Sequence, residues 1–127
     1  MIEEINISSC FVSEWKNDKE LYDYCRDYVK DIPWRTPGVY YIYEESELLY
    51  VGCSINIQDR LVDHLTRSCH SEGYINNATR IKYCVIEDKD MRELFEYNQI
   101  KELEPSKNKI LPRLTKEQKE MIRMSKC

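Results

Sequence analysis

The chain has 127 residues, of which 33% are charged, and its net charge at pH 7 is -4. This length suits one domain and is too short for two ordinary ones. Non-specific affinity for nucleic acid comes mainly from lysine and arginine, so the acidic balance argues against a protein that coats DNA or RNA. The sequence has no apolar run of about 18 residues and no basic-then-apolar leader, which predicts a cytoplasmic protein without membrane span or signal peptide.

The six cysteines are interpreted as free thiols. Nothing indicates secretion, and none of the spacings is a CxxC pair. A zinc site would need ligands such as Cys69, His70 and Cys84, but the paired, closely spaced cysteines of structural zinc sites are missing. The sequence therefore predicts neither disulfides nor zinc.

Basic residues outnumber acidic residues only at the C-terminal end. Residues 111–127 carry five basic and two acidic residues, whereas residues 38–110 carry nine and thirteen. The tail is therefore either a surface that holds a phosphate backbone or a solvated helix face, and both interpretations stay open. Within a single domain over residues 1–127, we expect an N-terminal extension with one helix (1–37), a core (38–110) and a basic C-terminal helix (111–127).

Apolar periodicity predicts the helix of the N-terminal extension over residues 18–32, with Pro33 ending it. Residues 33–37, which contain two prolines, are a linker into the core. Residues 2–12 carry only a weak strand pattern.

From residue 38 the pattern changes to β-branched and aromatic residues, which predicts a hairpin with strands near 39–43 and 48–51. The following elements are a helix over 55–67, a loop over 68–79, a strand over 80–86, a helix over 89–103 that Pro105 ends, and a helix over 115–124. This order predicts an α+β fold with a small three-stranded mixed or antiparallel sheet flanked by helices.

Two tyrosine-bearing segments of the hairpin are closed by glycines, Gly38-Val39-Tyr40 and Tyr50-Val51-Gly52. They are followed, in order, by Arg60, Glu96, Pro105 and Asn108. In number, type and spacing these residues resemble the GIY-YIG nuclease superfamily, which includes the N-terminal cleavage domain of the bacterial excision repair endonuclease, homing endonucleases and some restriction enzymes. The resemblance covers roughly residues 38–110 and implies a metal-dependent DNA endonuclease with the fold predicted above.

The resemblance implies that Tyr40 activates the attacking water and that Tyr50 helps to position the phosphate. A phenol with a pKa of about 10 is almost wholly protonated at neutral pH, so nearby positive charge must assist it. Arg60 can bind two non-bridging phosphate oxygens through its planar fork. His64, one helical turn later, either assists the tyrosine or contacts a phosphate, or else only packs.

Glu96 is the expected metal ligand, with one Mg²⁺ (or Mn²⁺) in each active site. A single carboxylate plus water and substrate oxygens is a common way to hold Mg²⁺ in phosphoryl-transfer sites. Asn108 is expected to orient the catalytic region by hydrogen bonds. One position departs from the family pattern, because Cys53 stands where a lysine or another polar residue is common.

The expected partner is DNA, contacted by Arg60, His64, Arg67, Lys107, Arg113, Lys116, Lys119 and Arg123. One small domain cuts one strand per site, and this leaves a homodimer or a separate DNA-targeting partner open. The alternative function is a catalytically inactive or regulatory binding module that retains the fold. The intact set of motif residues favours the enzyme, because a degenerate module would be expected to have lost at least one of them.

Overall fold

The structure is a computed structural model that describes residues 2–6, 23, 26–27, 29–70, 80–108 and 111–125. Its elements in chain order are β1 (Ile2–Asn6), β2 (Gly38–Glu44), β3 (Glu47–Ser54), α1 (Ile57–His70), β4 (Arg80–Val85), α2 (Lys89–Leu103) and α3 (Lys116–Ser125). The predicted α+β class, with an antiparallel sheet and flanking helices, is confirmed.

The strands lie in the order β1-β4-β2-β3, and every neighbouring pair is antiparallel. The predicted hairpin is formed by β2 and β3, with a turn at Glu45 and Ser46. The sheet has four strands rather than the three predicted, because Ile2–Asn6 pairs with β4 along its full length. The weak strand pattern at residues 2–12 thus contains a true but shorter strand.

The two faces of the sheet are covered by different helices. Tyr40 contacts His64 of α1, whereas the next residue, Tyr41, contacts Gln99 of α2. Successive residues of a strand point to opposite faces, so the alternation along β2 sends one tyrosine to each helix. The apolar core on the α2 side contains Val39, Tyr41, Val51, Cys84 and Ile100.

The helix bounds differ from the prediction at α1, at the first helix and, by one residue at each end, at α3, which was predicted over 115–124 and spans Lys116–Ser125. α1 begins two residues later than predicted, since Asn56 caps it by accepting a hydrogen bond from the Asp59 amide, and it continues to His70. The bounds of α2 are as predicted, with Asp88 as N-cap and Glu104 in the left-handed conformation before Pro105. The helix predicted over 18–32 lies largely outside the described residues; 23, 26 and 27 are helical, and residues 29–32 form turns instead.

The linker before β2 is tied to the rest of the domain by backbone hydrogen bonds. The Thr36 carbonyl accepts from the Ile57 amide at 2.9 Å, and the Pro37 carbonyl accepts from the Ile86 amide at 3.0 Å. The start of β2 is thereby fixed between the first turn of α1 and the end of β4. Among the described residues, no helix has both the length and the apolar character needed to cross a membrane.

The C-terminal helix α3 is anchored to α2 through Gln118, which is fully buried. Thr115 and Gln118 form a reciprocal capping box, in which each side chain accepts from the other's backbone amide. The Gln118 amide also donates to Asp90 at 3.2 Å and to Glu93 at 3.4 Å in the first turns of α2. Gln118 thus packs the basic tail against α2.

Candidate active site

The two motif glycines make room for different groups. In the β2–β3 register, Tyr40 lies directly opposite Gly52. A Cβ on Gly52 would come within 2.5 Å of the Tyr40 hydroxyl oxygen and 2.9 Å of the Tyr50 ring. A Cβ on Gly38 would come within 1.9 Å of the Cys84 carbonyl oxygen. Gly38 therefore lets β4 approach β2, whereas Gly52 lets the Tyr40 phenol lie across β3 beside Tyr50.

Tyr40, Tyr50 and His64 form a cluster on the α1 side of the sheet. The Tyr40 hydroxyl is 2.9 Å from Nε2 of His64, and the tyrosine is only 1% exposed. The ring centroids of the two tyrosines are 6.2 Å apart, and the Tyr50 and His64 rings meet edge to face at 4.8 Å. When the imidazole carries its proton on Nδ1, Nε2 accepts the phenol hydrogen bond.

The charges around Tyr40 act in opposite directions on its pKa. Burial raises the pKa of Tyr40 far above its ordinary value, and Tyr50 raises it further. Arg60 lowers it by its positive charge and by a hydrogen bond, and Glu96 raises it slightly. In the protein alone Tyr40 is therefore a neutral phenol, and its ionised form depends on positive charge brought close to the site.

Arg60 lies on α1, one turn before His64, with its guanidinium partly exposed. It forms an ion pair with Asp63 at 3.7 Å. Burial is the largest single influence and lowers the pKa of Arg60, but Tyr40, Asp63 and Tyr50 together outweigh burial, so the net pKa is raised. A permanent positive charge thus lies beside the buried phenol and is open to solvent on its other side.

Glu96 lies on α2, half-buried, and faces the end of β3. Its Oε1 accepts a hydrogen bond from the Cys53 thiol at 3.4 Å. Burial raises the pKa of Glu96, while hydrogen bonds from the Cys53 side chain and backbone oppose that rise. Burial and Glu96 together raise the pKa of Cys53 to about 12, so the thiol stays protonated and acts as the donor.

The donor set around Glu96 fits Mg²⁺ better than a metal that needs an all-protein cage. The described residues contain no group of three or more His, Cys, Asp or Glu side chains that could hold a metal together. Mg²⁺ is commonly bound through one or two carboxylates plus water and phosphate oxygens. One partly exposed carboxylate meets that requirement.

Asn108 is attached to the backbone of β3 between Tyr50 and Gly52. Its Oδ1 accepts from the Val51 amide at 2.9 Å, and its Nδ2 donates to the Val51 carbonyl at 3.0 Å. The preceding amides, of Ser106 and Lys107, donate to the carbonyls of Leu48 and Leu49. Residues 106–108 therefore cover the free edge of β3, which would otherwise present unpaired backbone groups.

The remaining predicted DNA contacts are dispersed. The side chain of Arg67 lies outside the described residues. Lys107 is exposed beside β3, and Arg113, Lys116 and Lys119 are exposed on the tail. Arg123 pairs with Glu120 on its own helix. The structure thus clusters Tyr40, Tyr50, Arg60 and His64, with Glu96 close enough to raise the pKa of Tyr40. Arg113 and Lys119 of the tail instead line a cleft against α2.

Cys53 is a site residue to which the sequence analysis gave no function. Its sequence signal is its position, immediately after Gly52 and in place of the usual polar residue. Its contact with Glu96 depends on the packing of α2 against β3, which spacing alone does not define.

Residues 36–109 match the model of the UvrC-like GIY-YIG domain. The chain therefore belongs to this family, in agreement with the predicted resemblance. The expected antiparallel sheet and the motif tyrosines, glycines, arginine and glutamate all lie within the matched residues.

The curated relatives include excinuclease Cho of Escherichia coli (strain K12), 34% identical over 74% of this chain, and excinuclease Cho of Shigella flexneri, 33% identical over 74%. The chain spans about a third of the length of these relatives, with 32% of each covered. The name excinuclease describes both of these relatives as nucleases.

The fold is also similar to the GIY-YIG N-terminal endonuclease domain of UvrC from Thermotoga maritima, solved with its catalytic divalent cation, magnesium. The TM-score is 0.52 at 19% identity, and the match covers 75% of this chain and 99% of that one. A point mutant of that domain, also bound to its catalytic divalent cation, matches with the same TM-score at 17% identity. At these identities the structural match supports the fold.

Proposed function

We propose that this chain is a divalent-metal-dependent endonuclease that hydrolyses DNA phosphodiester bonds. The observation that carries the proposal is the 2.9 Å contact between the buried Tyr40 hydroxyl and His64, beside Arg60 and Tyr50. A purely structural tyrosine needs a hydrogen-bond partner, but it does not need a titratable partner and a partly exposed cation at the same point.

In the proposed reaction, Tyr40 takes a proton from the attacking water as its own proton moves to Nε2 of His64. The 2.9 Å separation is within the reach required of an acid-base pair. Arg60 binds the non-bridging oxygens of the scissile phosphate and stabilises the negative charge that develops on them. Tyr50 lies on the next strand with its ring stacked near that of Tyr40, and it helps to position the phosphate.

Glu96 would hold one Mg²⁺ or Mn²⁺ per site, with Cys53 orienting its carboxylate. When bound, such a cation supplies Lewis-acid stabilisation of the phosphate charge. Because burial raises the pKa of Glu96, protons compete with the metal at a higher pH than for an exposed glutamate. We therefore expect the apparent Mg²⁺ affinity to weaken as the pH falls through this raised pKa.

The tail cations Arg113, Lys116, Lys119 and Arg123 are proposed to attract DNA by long-range electrostatics. A single site cuts one strand, so cleavage of both strands would need a homodimer, a second encounter or a DNA-targeting partner. These assemblies and the cytoplasmic location remain predictions.

The test is nicking of supercoiled plasmid with Mg²⁺, with Mn²⁺ and with excess EDTA, for the wild type and for Glu96→Gln. We expect nicking only with a divalent cation, and loss of nicking in Glu96→Gln with a circular dichroism spectrum like that of the wild type. Glu93→Gln, one turn earlier on α2, is the matched control and should retain activity. Full activity in EDTA or in Glu96→Gln would contradict the metal assignment, and a folded wild type with no nicking would favour the binding module.

A further inference from the structure

A cleft with a volume of about 870 Å³ lies between α2 and the C-terminal tail. Helix α2 contributes Tyr97, Asn98 and Lys101, and the tail contributes Arg113 and Lys119 together with apolar side chains. None of these residues belongs to the proposed catalytic set. The proposed hydrolysis therefore does not account for this cleft.

The charge of the cleft is opposite to that of the chain. Lys101, Arg113 and Lys119 all line it, and none of the described residues that line it is acidic. In a chain of net charge -4, three cations from two elements converge on one concave surface. A bound polyanion would find positive charge on both walls of the cleft.

The wall formed by α2 adds an aromatic ring to these cations. Nζ of Lys101 lies 6.0 Å from the centroid of the Tyr97 ring. The amide of Asn98 lines the cleft on the same helix. An aromatic ring beside cations that contact phosphates is the combination by which proteins bind single-stranded nucleic acid, with bases stacked and the backbone neutralised.

The two walls of the cleft are held by α2 and by its contact with the tail. Tyr97 directly follows Glu96 on α2, so its side chain leaves the helix about 100° from that of Glu96, toward the tail rather than toward Cys53. On the other side, Lys119 directly follows Gln118, whose buried side chain is bonded to Asp90 and Glu93. The anchor fixes the distance between the two walls, so the cations of the tail face those of α2.

We propose that this cleft binds a single-stranded segment of the DNA substrate outside the scissile phosphate. Lys101, Arg113 and Lys119 would contact phosphates, and a base would stack on Tyr97. The exposed part of the Tyr97 ring favours a single strand, because bases that are paired in a duplex are not free to stack on it. The proposal rests on the proposed function, because it takes DNA as the substrate.

The experiment measures binding of a fluorescent oligo-dT and of a matched duplex by anisotropy over a range of salt concentrations, in the Glu96→Gln background with EDTA. Lys101→Ala and Lys119→Ala should each weaken oligo-dT binding about three-fold or more and flatten the salt slope by about 0.7. Tyr97→Leu should weaken binding about five-fold with the slope unchanged, since it removes stacking and no charge. Thermal melts should show no change for the two lysine variants, because both lysines are exposed, and only a small change for Tyr97→Leu, because leucine keeps an apolar side chain at this half-buried position.

Lys30→Ala is the matched control, since Lys30 is an exposed lysine that is not among the proposed DNA contacts and does not line the cleft. It should change oligo-dT affinity less than about two-fold. Equal losses in Lys30→Ala and Lys119→Ala, no effect of Tyr97→Leu, or tighter binding of the duplex than of oligo-dT would each overturn the proposal. Plasmid nicking is measured separately. The predicted binding losses without any nicking would support the proposed cleft and contradict the proposed endonuclease activity. Nicking without those binding losses would support the endonuclease activity and contradict the proposed cleft.

Discussion

Tyr40 and Tyr41 are neighbours in β2, yet they lie in two chemically different halves of the molecule. Both rings are buried, and burial raises the pKa of both. Tyr41 donates to the amide oxygen of Gln99 at 2.7 Å on the α2 side, whereas Tyr40 contacts the imidazole of His64 at 2.9 Å on the α1 side. An imidazole can take up a proton and an amide cannot, so the partner rather than burial distinguishes Tyr40, the phenol used in the proposed reaction, from Tyr41.

The largest expected effect separates these two tyrosines. Tyr40→Phe should lower the rate of DNA nicking by about two to four orders of magnitude, the usual range for an acid-base group. Tyr41→Phe should leave the rate within about three-fold and cost about 1 kcal/mol of stability, since Gln99 loses its donor. The measurements are single-turnover nicking rates and urea unfolding of both variants.

Three outcomes would contradict this comparison. Equal rate losses in the two variants would mean that both act through the stability of β2. A fully active Tyr40→Phe would transfer the acid-base role to His64. A Tyr40→Phe variant that no longer binds DNA would make Tyr40 a substrate contact, so affinity must be measured beside rate.

The two motif glycines can be compared in the same way, by the atoms that an added Cβ would contact. In Gly52→Ala the new Cβ would contact the end of the Tyr40 side chain and not the backbone of another strand. The protein should therefore fold, while displacement of the Tyr40 phenol should lower the nicking rate about 100-fold. Gly38→Ala meets the backbone of β4, so it should destabilise the fold by about 3 kcal/mol, the upper end of the usual cost of overpacking. Rates and unfolding free energies of the two variants, measured together, check this; an unfolded Gly52→Ala or a stable Gly38→Ala would reverse the assignment.

The smallest expected effect concerns Cys53, on the α2 side of β3. If its thiol orients Glu96, Cys53→Ala should raise the Mg²⁺ concentration for half-maximal nicking about ten-fold, the low end of the effect of residues that support metal ligands. Cys53→Ser should stay close to the wild type, because the hydroxyl remains a donor. The rate at saturating Mg²⁺ should change little in both. An equal shift in the serine and alanine variants would show that the thiol only fills space.

Local sequence patterns predicted the hairpin and α2 because their signals lie within the elements. Pro105 was predicted to end α2, and it follows the helix as expected. The family pattern selected Glu96, and the structure directs this side chain toward Cys53 at the end of β3.

Pairings between distant parts of the chain were harder to predict. β1 pairs with β4 across about eighty residues, and no periodicity within either strand encodes this partner. The Tyr41–Gln99, Cys53–Glu96 and Gln118–Asp90 contacts likewise join separate elements. Their geometry depends on how helices pack on the sheet, which one sequence without its relatives does not specify.

The segment from Glu96 to Asn108 is attached to β3 at both of its ends. Glu96 meets Cys53, and Asn108 holds both backbone groups of Val51, only two residues away. The second half of α2 and the turn after Pro105 therefore form a closed brace across the strand that carries Tyr50. This brace fixes the position of the Glu96 carboxylate relative to the strand that carries Tyr50.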